Sequence, residues 1–570
     1  MKISDYIVEL LIEQGITDVF GYPGGMVTHL IDSFSKCTDK IHAHVCYHEQ
    51  SAAFAACGYA QASGKIGVAY ATSGPGATNL ITGIANAYFD SIPTIFVTGQ
   101  VNRNELKGSL GIRQRGFQET EIVEIVKPIT KASYLIRNAH EIKFYFEKAF
   151  YEATTGRPGP VLLDIPMDVF KSDVNINELK CFTDIDRPIE IDDSVKAVIR
   201  KKFLEAERPC FVLGNGTRES DRIYFLERMF ASKSIPFVTS MISFDILEKS
   251  NYKFGFIGAY GDRTANFIVA KSDLIIAIGT RLDIRQVGAN RSDFAKNADI
   301  IRVDIDSGEL EYKVHDNEIA ISLNADLFID MLSGIEITKT YEGWFNVCNK
   351  IREALKSADE SNHRAAMKTL SSYLLEDCVI TTDVGQNQVW VAQSFEVKKG
   401  QKYLFSGGHG AMGYSLPAAI GAYYATKRPV YCITGDGGLQ MNIQELQFIV
   451  REKIPIKIIV LNNDSLGMIR HFQEMYFNGN YFQTKPEGGF CSPCFVDIAM
   501  AYGIRSLSCN VNEICMESEL VRYLCDEMSC LIDIYIDYDT YVFPKLEFGK
   551  PNQDQEPLID RNLYDFLMEL

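Results

Sequence analysis

The sequence predicts an α/β protein built from three doubly wound parallel sheets. Three observations carry that expectation. Short β-branched apolar runs alternate with longer stretches of helical periodicity, the pattern of parallel strands covered on both faces. The strand candidates end in Gly, Pro, Ser or Thr, so loops gather at strand C-termini, where open α/β sheets bind ligands. The chain has 570 residues, which at roughly 100–200 residues per domain leaves room for three domains.

The elements follow in order. In the first block, residues 1–172, the strand candidates are KIGVAYAT, TIFVTG and PVLLDIP. Acidic, poorly patterned residues 172–192 read as a linker. The second block, 190–335, carries PCFVLGNG, PFVTS, DLIIAIGT and IIRVDID. Residues 335–365 read as a helical connection. The third block, 365–540, carries CVITTDVG, VYCITGDGG and IKIIVLNND. Residues 541–570 read as an extended tail ending in a short helix. No short-period repeat or low-complexity segment is evident.

Bulk properties exclude several classes. A net charge of −17 argues against a nucleic-acid binder, which leans on clustered Lys and Arg. No run of about 18 apolar residues appears, so no membrane span is expected. The N-terminal stretch MKISDYIVELLIEQGITDVFGYPGG is interrupted by acids at helical spacing and does not read as a signal peptide. The 14 cysteines are scattered, as in a reduced, cytoplasmic protein. Cys491 and Cys494 in CSPC have metal or redox spacing, but no second pair stands at zinc-finger distance.

The candidate chemistry begins with Glu49 in CYHEQSAAFAACGYA. It heads a helix of small apolar residues that would be buried. An ionised carboxylate there costs several kcal/mol unless a partner stabilises it. A helix N-terminal acid is the plain reading. In the third block, Asp436 ends one strand and Asn462 and Asn463 end the next, with one helix between. One carboxylate with amide and carbonyl oxygens suits a hard cation such as Mg²⁺, leaving positions for water and phosphate. Gly435, Gly437 and Gly438 let backbone approach a diphosphate at a helix N-terminus. Ser73-Gly74-Pro75-Gly76 is another strand-to-helix turn, without the Lys-Ser/Thr pair of a P-loop. The opening strand–helix unit lacks GxGxxG, which counts against an NAD dehydrogenase.

These motifs resemble the thiamine-diphosphate (ThDP) enzymes. GDG…NN resembles their Mg²⁺–diphosphate motif, and HEQSAAFAACGYA followed by ATSGPGATNL resembles their pyrimidine-binding domain. FGYPGG, FQET, GRPGPVLLDIP, DVGQNQVW, SGGHGAMGYSLPAAIGA and LNNDSLGM are similar to the acetolactate synthase (acetohydroxyacid synthase) catalytic subunit. The resemblance implies pyrimidine-binding, central FAD-type and diphosphate-binding domains in that order. It implies a carboligase that decarboxylates pyruvate, a 2-oxo acid, and transfers the two-carbon unit to a second carbonyl. Glu49 would hydrogen-bond N1′ of the cofactor's aminopyrimidine. Asp436, Asn463 and the Ser465 carbonyl would hold Mg²⁺. Gly385, Gln386, Gly410, Met412 and Met468, with the three glycines named above, would contact ThDP, Met412 propping it into a bent form. Phe117, Gln118 and Gly25 would lie beside the reaction centre. Gly214, Arg281 and Arg285 would contact a largely structural FAD. A dimer would place Glu49 of one subunit against cofactor held by the other, with any regulatory subunit unknown.

Three positions depart from that family: Phe472 where it carries tryptophan, Met167 where it carries lysine, and His409 where it carries leucine. All three are expected on the acceptor side. They keep open an alternative, acetyl transfer from pyruvate to a nucleotide-linked ketosugar in branched-sugar or surface-polysaccharide synthesis. A non-catalytic cofactor-binding homologue is a further alternative, against which the joint presence of Glu49, Asp436 and Asn463 argues.

Overall fold

The computed structural model describes residues 1–184, 193–515 and 518–570. The second part of the acidic linker, with the expected start of the central block at 190, lies outside the described residues. Three six-stranded sheets form, and every pairing between their strands is parallel.

The first sheet contains β1 (Asp18–Gly21), β2 (His42–Val45), β3 (Gly67–Ala71), β4 (Thr94–Gln100), β5 (Ala132–Leu135) and β6 (Pro160–Pro166). Their order is β2-β1-β3-β4-β6-β5. The central sheet contains β7 (Pro209–Leu213), β8 (Phe237–Thr239), β9 (Lys253–Phe256), β10 (Leu274–Ile278), β11 (Asp299–Asp304) and β12 (Ile319–Ser322), in the order β12-β11-β10-β7-β8-β9. The third contains β13 (Val379–Thr382), β14 (Lys402–Leu404), β15 (Val430–Gly435), β16 (Lys457–Asn462), β17 (Arg505–Asn510) and β18 (Cys530–Tyr535), in the order β14-β13-β15-β16-β18-β17. Strands β3, β4, β6, β7 and β10 are buried along their whole length, as covering on both faces demands.

The chain forms two compact units. One takes the first sheet, Tyr373–Gln388 and Gly400–Asp539; the other takes the central sheet, Val389–Lys399 and Thr540–Leu570. In the first unit, the Glu49–Ser63 helix packs along the Ser415–Thr426 helix. Both are rich in Ala, with one Gly each, because their backbones nearly touch. A Cβ on Gly58 would strike the Ala418 carbonyl, and one on Gly421 the Ala55 carbonyl. In the second unit, the tail is pinned to its own core. The buried Arg263 guanidinium donates to the carbonyls of Gln555 (2.8 Å) and Pro557 (2.7 Å). The tail then ends in the Arg561–Glu569 helix.

Candidate functional site

Each sheet has a topological switch point, where successive connections leave in opposite directions and a crevice opens at the strand C-termini. In the first sheet it lies between β1 and β3. In the central sheet it lies between β7 and β10, and in the third between β13 and β15.

The first switch point gathers Glu49, Gln118 and Gly25 around one turn, Thr72 to Gly76. Glu49 opens its helix because His48 is extended and its Nδ1 accepts the Gln50 N–H at 3.1 Å. The Glu49 side chain is only 8% exposed. Its Oε2 accepts from Asn79 Nδ2 at 2.9 Å. Its Oε1 lies 3.2 Å from where a Cβ on Gly76 would stand, so that glycine makes room for the carboxylate. Gln118 adopts a left-handed φ of 64° and packs on Gly74. The Met26 N–H beside Gly25 donates to Thr72 Oγ1 at 3.1 Å. Phe117 projects outward and is 79% exposed. Asn79 is a member of this group that sequence reasoning missed. The signal was available: it lies one helical turn beyond the Ser73–Gly76 turn, in ATSGPGATNL.

The third switch point gathers the metal-type donors. Asp436 begins the helix after β15 and is buried. Its Oδ2 accepts the Ser465 N–H (3.0 Å) and the Ser492 hydroxyl (2.7 Å). Burial pushes the Asp436 carboxyl up to about 6, against the pull of those donors. Asn463 follows β16, and its Nδ2 donates to Gln386 Oε1 at 2.7 Å, which leaves the amide oxygen as its end for a cation. Gln386 begins the helix after β13, next to Gly385 (φ 153°). A Cβ on Gly437 would lie 2.9 Å from Leu466 Cδ2 and 3.2 Å from Met412 Cε. A Cβ on Gly438 would meet the Asp383 carboxylate at 2.7 Å. Side chains on the GDGG turn would therefore collide with the side chains packed against it. One carboxylate, one amide and a nearby carbonyl, with glycine-only backbone beside them, fit Mg²⁺ and a diphosphate.

Asp383, also missed from sequence, shapes the loop that carries Gly410 and Met412. Its Oδ1 accepts the Gly413 N–H (2.9 Å), and its Oδ2 accepts the Ser415 N–H (3.0 Å) and hydroxyl (2.8 Å). Met468 sits in the first turn of the Gly467–Tyr476 helix. Among the described residues, no cluster of three His, Cys, Asp or Glu side chains is placed to hold a metal ion, and Cys491 and Cys494 are free, exposed thiols.

The two half-sites are joined within the unit, though not by their acids. Ser51 Oγ donates to Asn442 Oδ1 (2.8 Å), and the Tyr47 N–H donates to Glu445 Oε1 (2.8 Å). Glu445 is fully buried, and burial pushes its carboxyl up to about 7. Among the described residues, no hydrogen bond links Glu49 to Asp436 in a single chain.

The three expected acceptor-side residues stand in three places of one chain. Phe472 is partly exposed on the Gly467–Tyr476 helix, beside a cavity of about 470 Å³ shared with Leu466, Ile469, Phe477 and Phe482. The His409 ring stacks on Phe89 with centroids 5.6 Å apart. Met167 opens the Met167–Lys171 helix after β6, next to the Arg103–Asp168 ion pair at 2.7 Å.

The central switch point, in the other unit, brings Gly214 and Gly216 against Gly279, so tightly that a Cβ on Gly214 would strike the Gly279 carbonyl. Arg281 follows this contact and pairs with Asp283 at 3.0 Å, while Arg285 is exposed. A bare backbone crossing flanked by two cations fits an anionic dinucleotide such as FAD.

Comparison with known proteins assigns the family. Family profiles match three segments: "Thiamine pyrophosphate enzyme, N-terminal TPP binding domain" over residues 1–125, "central domain" over 197–332, and "C-terminal TPP binding domain" over 383–534. The chain is 34% identical over 563 residues to the acetolactate synthase isozyme 2 large subunit of Escherichia coli (strain K12), covering 97% of this chain and 99% of that protein. It is 34% identical over 568 residues to the acetolactate synthase large subunit of Cyanidium caldarium, covering 96% and 95%. It is 34% identical over 559 residues to that of Lactococcus lactis subsp. lactis (strain IL1403), covering 96% and 94%. The chain belongs to the thiamine pyrophosphate enzyme family, as an acetolactate-synthase-like carboligase that depends on thiamine diphosphate.

Proposed function

We propose that this enzyme decarboxylates pyruvate and joins the two-carbon unit to a second 2-oxo acid, with acetolactate as the product when both are pyruvate. The observation that carries the reading is the coexistence of two built half-sites. One is a buried carboxylate with a single amide partner on a glycine turn, and the other is a carboxylate–amide–carbonyl set on a second glycine turn. Asp436 Oδ1, Asn463 Oδ1 and the Ser465 carbonyl would hold Mg²⁺. Gly435, Gly437 and Gly438, with Gly385 and Gln386, would seat the diphosphate, and Met412 with Gly410 would support the cofactor between its ends. Bound ThDP supplies the carbanion chemistry, acting as an electron sink after carbon dioxide leaves. Glu49 would hold a proton at its Oε1, next to the cofactor's N1′, in a site dry enough for that proton to be shared. Gln118 and Phe117 would close over the substrate with Gly25.

As the family resemblance implies, the active unit would be a homodimer, with each cofactor between the first-sheet half of one subunit and the third-sheet half of the other. That the relatives are named large subunits supports a smaller partner subunit. FAD would bind at Gly214, Arg281 and Arg285. The scattered cysteines support a reducing, cytoplasmic setting. Among the described residues, no helix is long and apolar enough to cross a membrane. Acetyl transfer to a nucleotide-linked ketosugar is not favoured, since the relatives named acetolactate synthase match across nearly the whole chain.

Purified enzyme with Mg²⁺, ThDP, FAD and carbon-13 pyruvate, followed by NMR, tests the proposal. Labelled acetolactate formed without an added acceptor is the expected result. Carbon dioxide or acetaldehyde released without acetolactate would overturn it.

A further inference from the structure

The CSPC stretch, Cys491 to Cys494, stands out in the sequence for its thiols, but in the fold it is the serine between them that reaches the site. Ser492 lies in the loop that leads from Phe490 into the Phe495–Tyr502 helix. Its hydroxyl donates to Asp436 Oδ2 at 2.7 Å. The Ser465 N–H also lands on Oδ2, at 3.0 Å. Both bonds that reach this carboxylate from other loops therefore use one oxygen, Oδ2.

Ser492 is itself held. Its N–H donates to Asp464 Oδ1 at 2.7 Å. The Asp464 N–H donates to Asn462 Oδ1 at 3.1 Å, and Asn462 Nδ2 donates to Asp533 at 3.0 Å on β18. A continuous hydrogen-bonded chain thus runs from β18, through the turn after β16, to the carboxylate after β15. Beside it, the Phe490 ring lies 3.7 Å from the Cβ position of Gly437, and Phe495 is fully buried. The loop is anchored at both ends of the CSPC stretch.

We propose that Ser492 is a positioning residue for the divalent cation: its hydroxyl fixes which oxygen of Asp436 faces the metal. This rests on the reading of Asp436 as a metal ligand. A hydroxyl has one hydrogen to give, and a hydrogen bond to an ionised carboxylate is stronger than one between neutral groups. With that bond made, Asp436 cannot rotate without losing it. Without it, the Ser465 N–H is the one bond from another loop left on Oδ2, the carboxylate is held less firmly, and metal affinity falls. Partners of this outer kind typically contribute about 10–100-fold to metal affinity.

The test uses the full-length enzyme with saturating ThDP and titrates Mn²⁺ as the probe, with the free ion read by electron paramagnetic resonance. Thermal melting of each variant with and without Mn²⁺ and ThDP is the second readout. Ser492→Ala should weaken Mn²⁺ binding about tenfold or more, shrink the Mn²⁺-dependent rise in melting temperature, and leave the metal-free melting temperature near the parent's. Ser492→Thr, which keeps the hydroxyl, should bind within about threefold of the parent. At saturating Mn²⁺, the KM for pyruvate should stay unchanged in both. Parental Mn²⁺ binding by Ser492→Ala, or equal weakening by Ser492→Thr, would overturn the inference. Asp436→Asn separates this failure from that of the underlying site. If Asp436→Asn weakens Mn²⁺ binding strongly while Ser492→Ala does not, the inference about Ser492 alone fails. If neither variant changes Mn²⁺ binding, both the ligand role of Asp436 and the inference built on it fail.

Discussion

The first and third sheets run through the same sequence of strands. Counted from its own first strand, each has the order 2-1-3-4-6-5. In each, the second strand leads to a helix of small residues, Glu49–Ser63 in one and Ser415–Thr426 in the other, and these two helices pack on each other. In each, the third strand leads to a glycine turn at the switch point. The charge sits at different steps. The first sheet places its carboxylate at the head of the second-strand helix and leaves the third-strand turn uncharged. The third sheet places its carboxylate on the third-strand turn and precedes its second-strand helix with the glycine-rich loop at His409 to Gly413. One scaffold thus carries two differently placed carboxylates. A carboxylate with one amide partner, as at Glu49, is suited to exchange a proton. A carboxylate clamped through one oxygen, as at Asp436, is suited to present the other to a cation.

Breaking each half separately should give different losses. The largest is expected from Glu49→Gln, which removes the exchangeable proton but keeps the shape and the contact with Asn79. Turnover should fall by about 10³-fold, in line with loss of a general acid–base group. Binding of Mg²⁺ and ThDP, followed by fluorescence titration, should be little changed. Equal losses of binding and turnover would erase the distinction between the two halves.

The seam between the halves has its own signature. Glu445 bonds the Tyr47 N–H two residues before Glu49, and its carboxyl is raised to about 7 in the fold. Its unfolded value is near 4.3. The native state therefore holds this proton longer than the unfolded state does. The stability it contributes is full below pH of about 4.3 and is lost as pH rises through about 7. The total is on the order of 3 kcal/mol. Glu445→Gln should flatten the decline of cofactor-free stability between about pH 5 and 8, measured by urea denaturation. An unaltered pH slope would show that this carboxyl is not the one responsible.

Asp436→Ala should weaken binding of Mg²⁺–ThDP by about 100-fold, as loss of a ligand implies, without recovery in moderate excess metal. The smallest effect is expected at Phe472. Phe472→Trp should narrow the cavity beside it and shift the ratio of products from pyruvate and 2-oxobutyrate by a few-fold, about 1 kcal/mol. An unchanged ratio, read by chromatography of a mixed-acceptor reaction, would place Phe472 outside the acceptor pocket.

Apart from β1 and β18, which pair on both sides but were not singled out, the central strands were legible because burial on both faces leaves unbroken apolar runs, as in LIIAI of β10 and KIIVLN of β16. The edges were not. HAHV of β2, ASYL of β5 and RSLSCN of β17 mix polar residues into short segments, since an edge strand has only one neighbour to satisfy. The shared topology of the first and third sheets was also invisible as a repeat, because strand order depends on apolar pattern and crossover length, not on matching residues. In the site, Glu49 and Asp436 could be singled out because a carboxylate is conspicuous beside small residues and glycines. Asp383 and Ser492 could not, since hydrogen bonds across a turn leave no periodicity, whereas Asn79 stood one helical turn beyond a glycine turn and was overlooked. CSPC shows the limit plainly: the spacing of its thiols draws the eye, while the hydroxyl between them makes the contact.

The most direct test of the division between the halves is deuterium exchange at the thiazolium C2 of bound cofactor, quenched in acid and read by proton NMR. With cofactor saturating, Glu49→Gln should exchange at least about 100-fold more slowly than the parent, while Asp436→Ala, once loaded, exchanges at close to the parental rate. Parental exchange in Glu49→Gln would contradict the account, because the proton would then be moving without the carboxylate assigned to it.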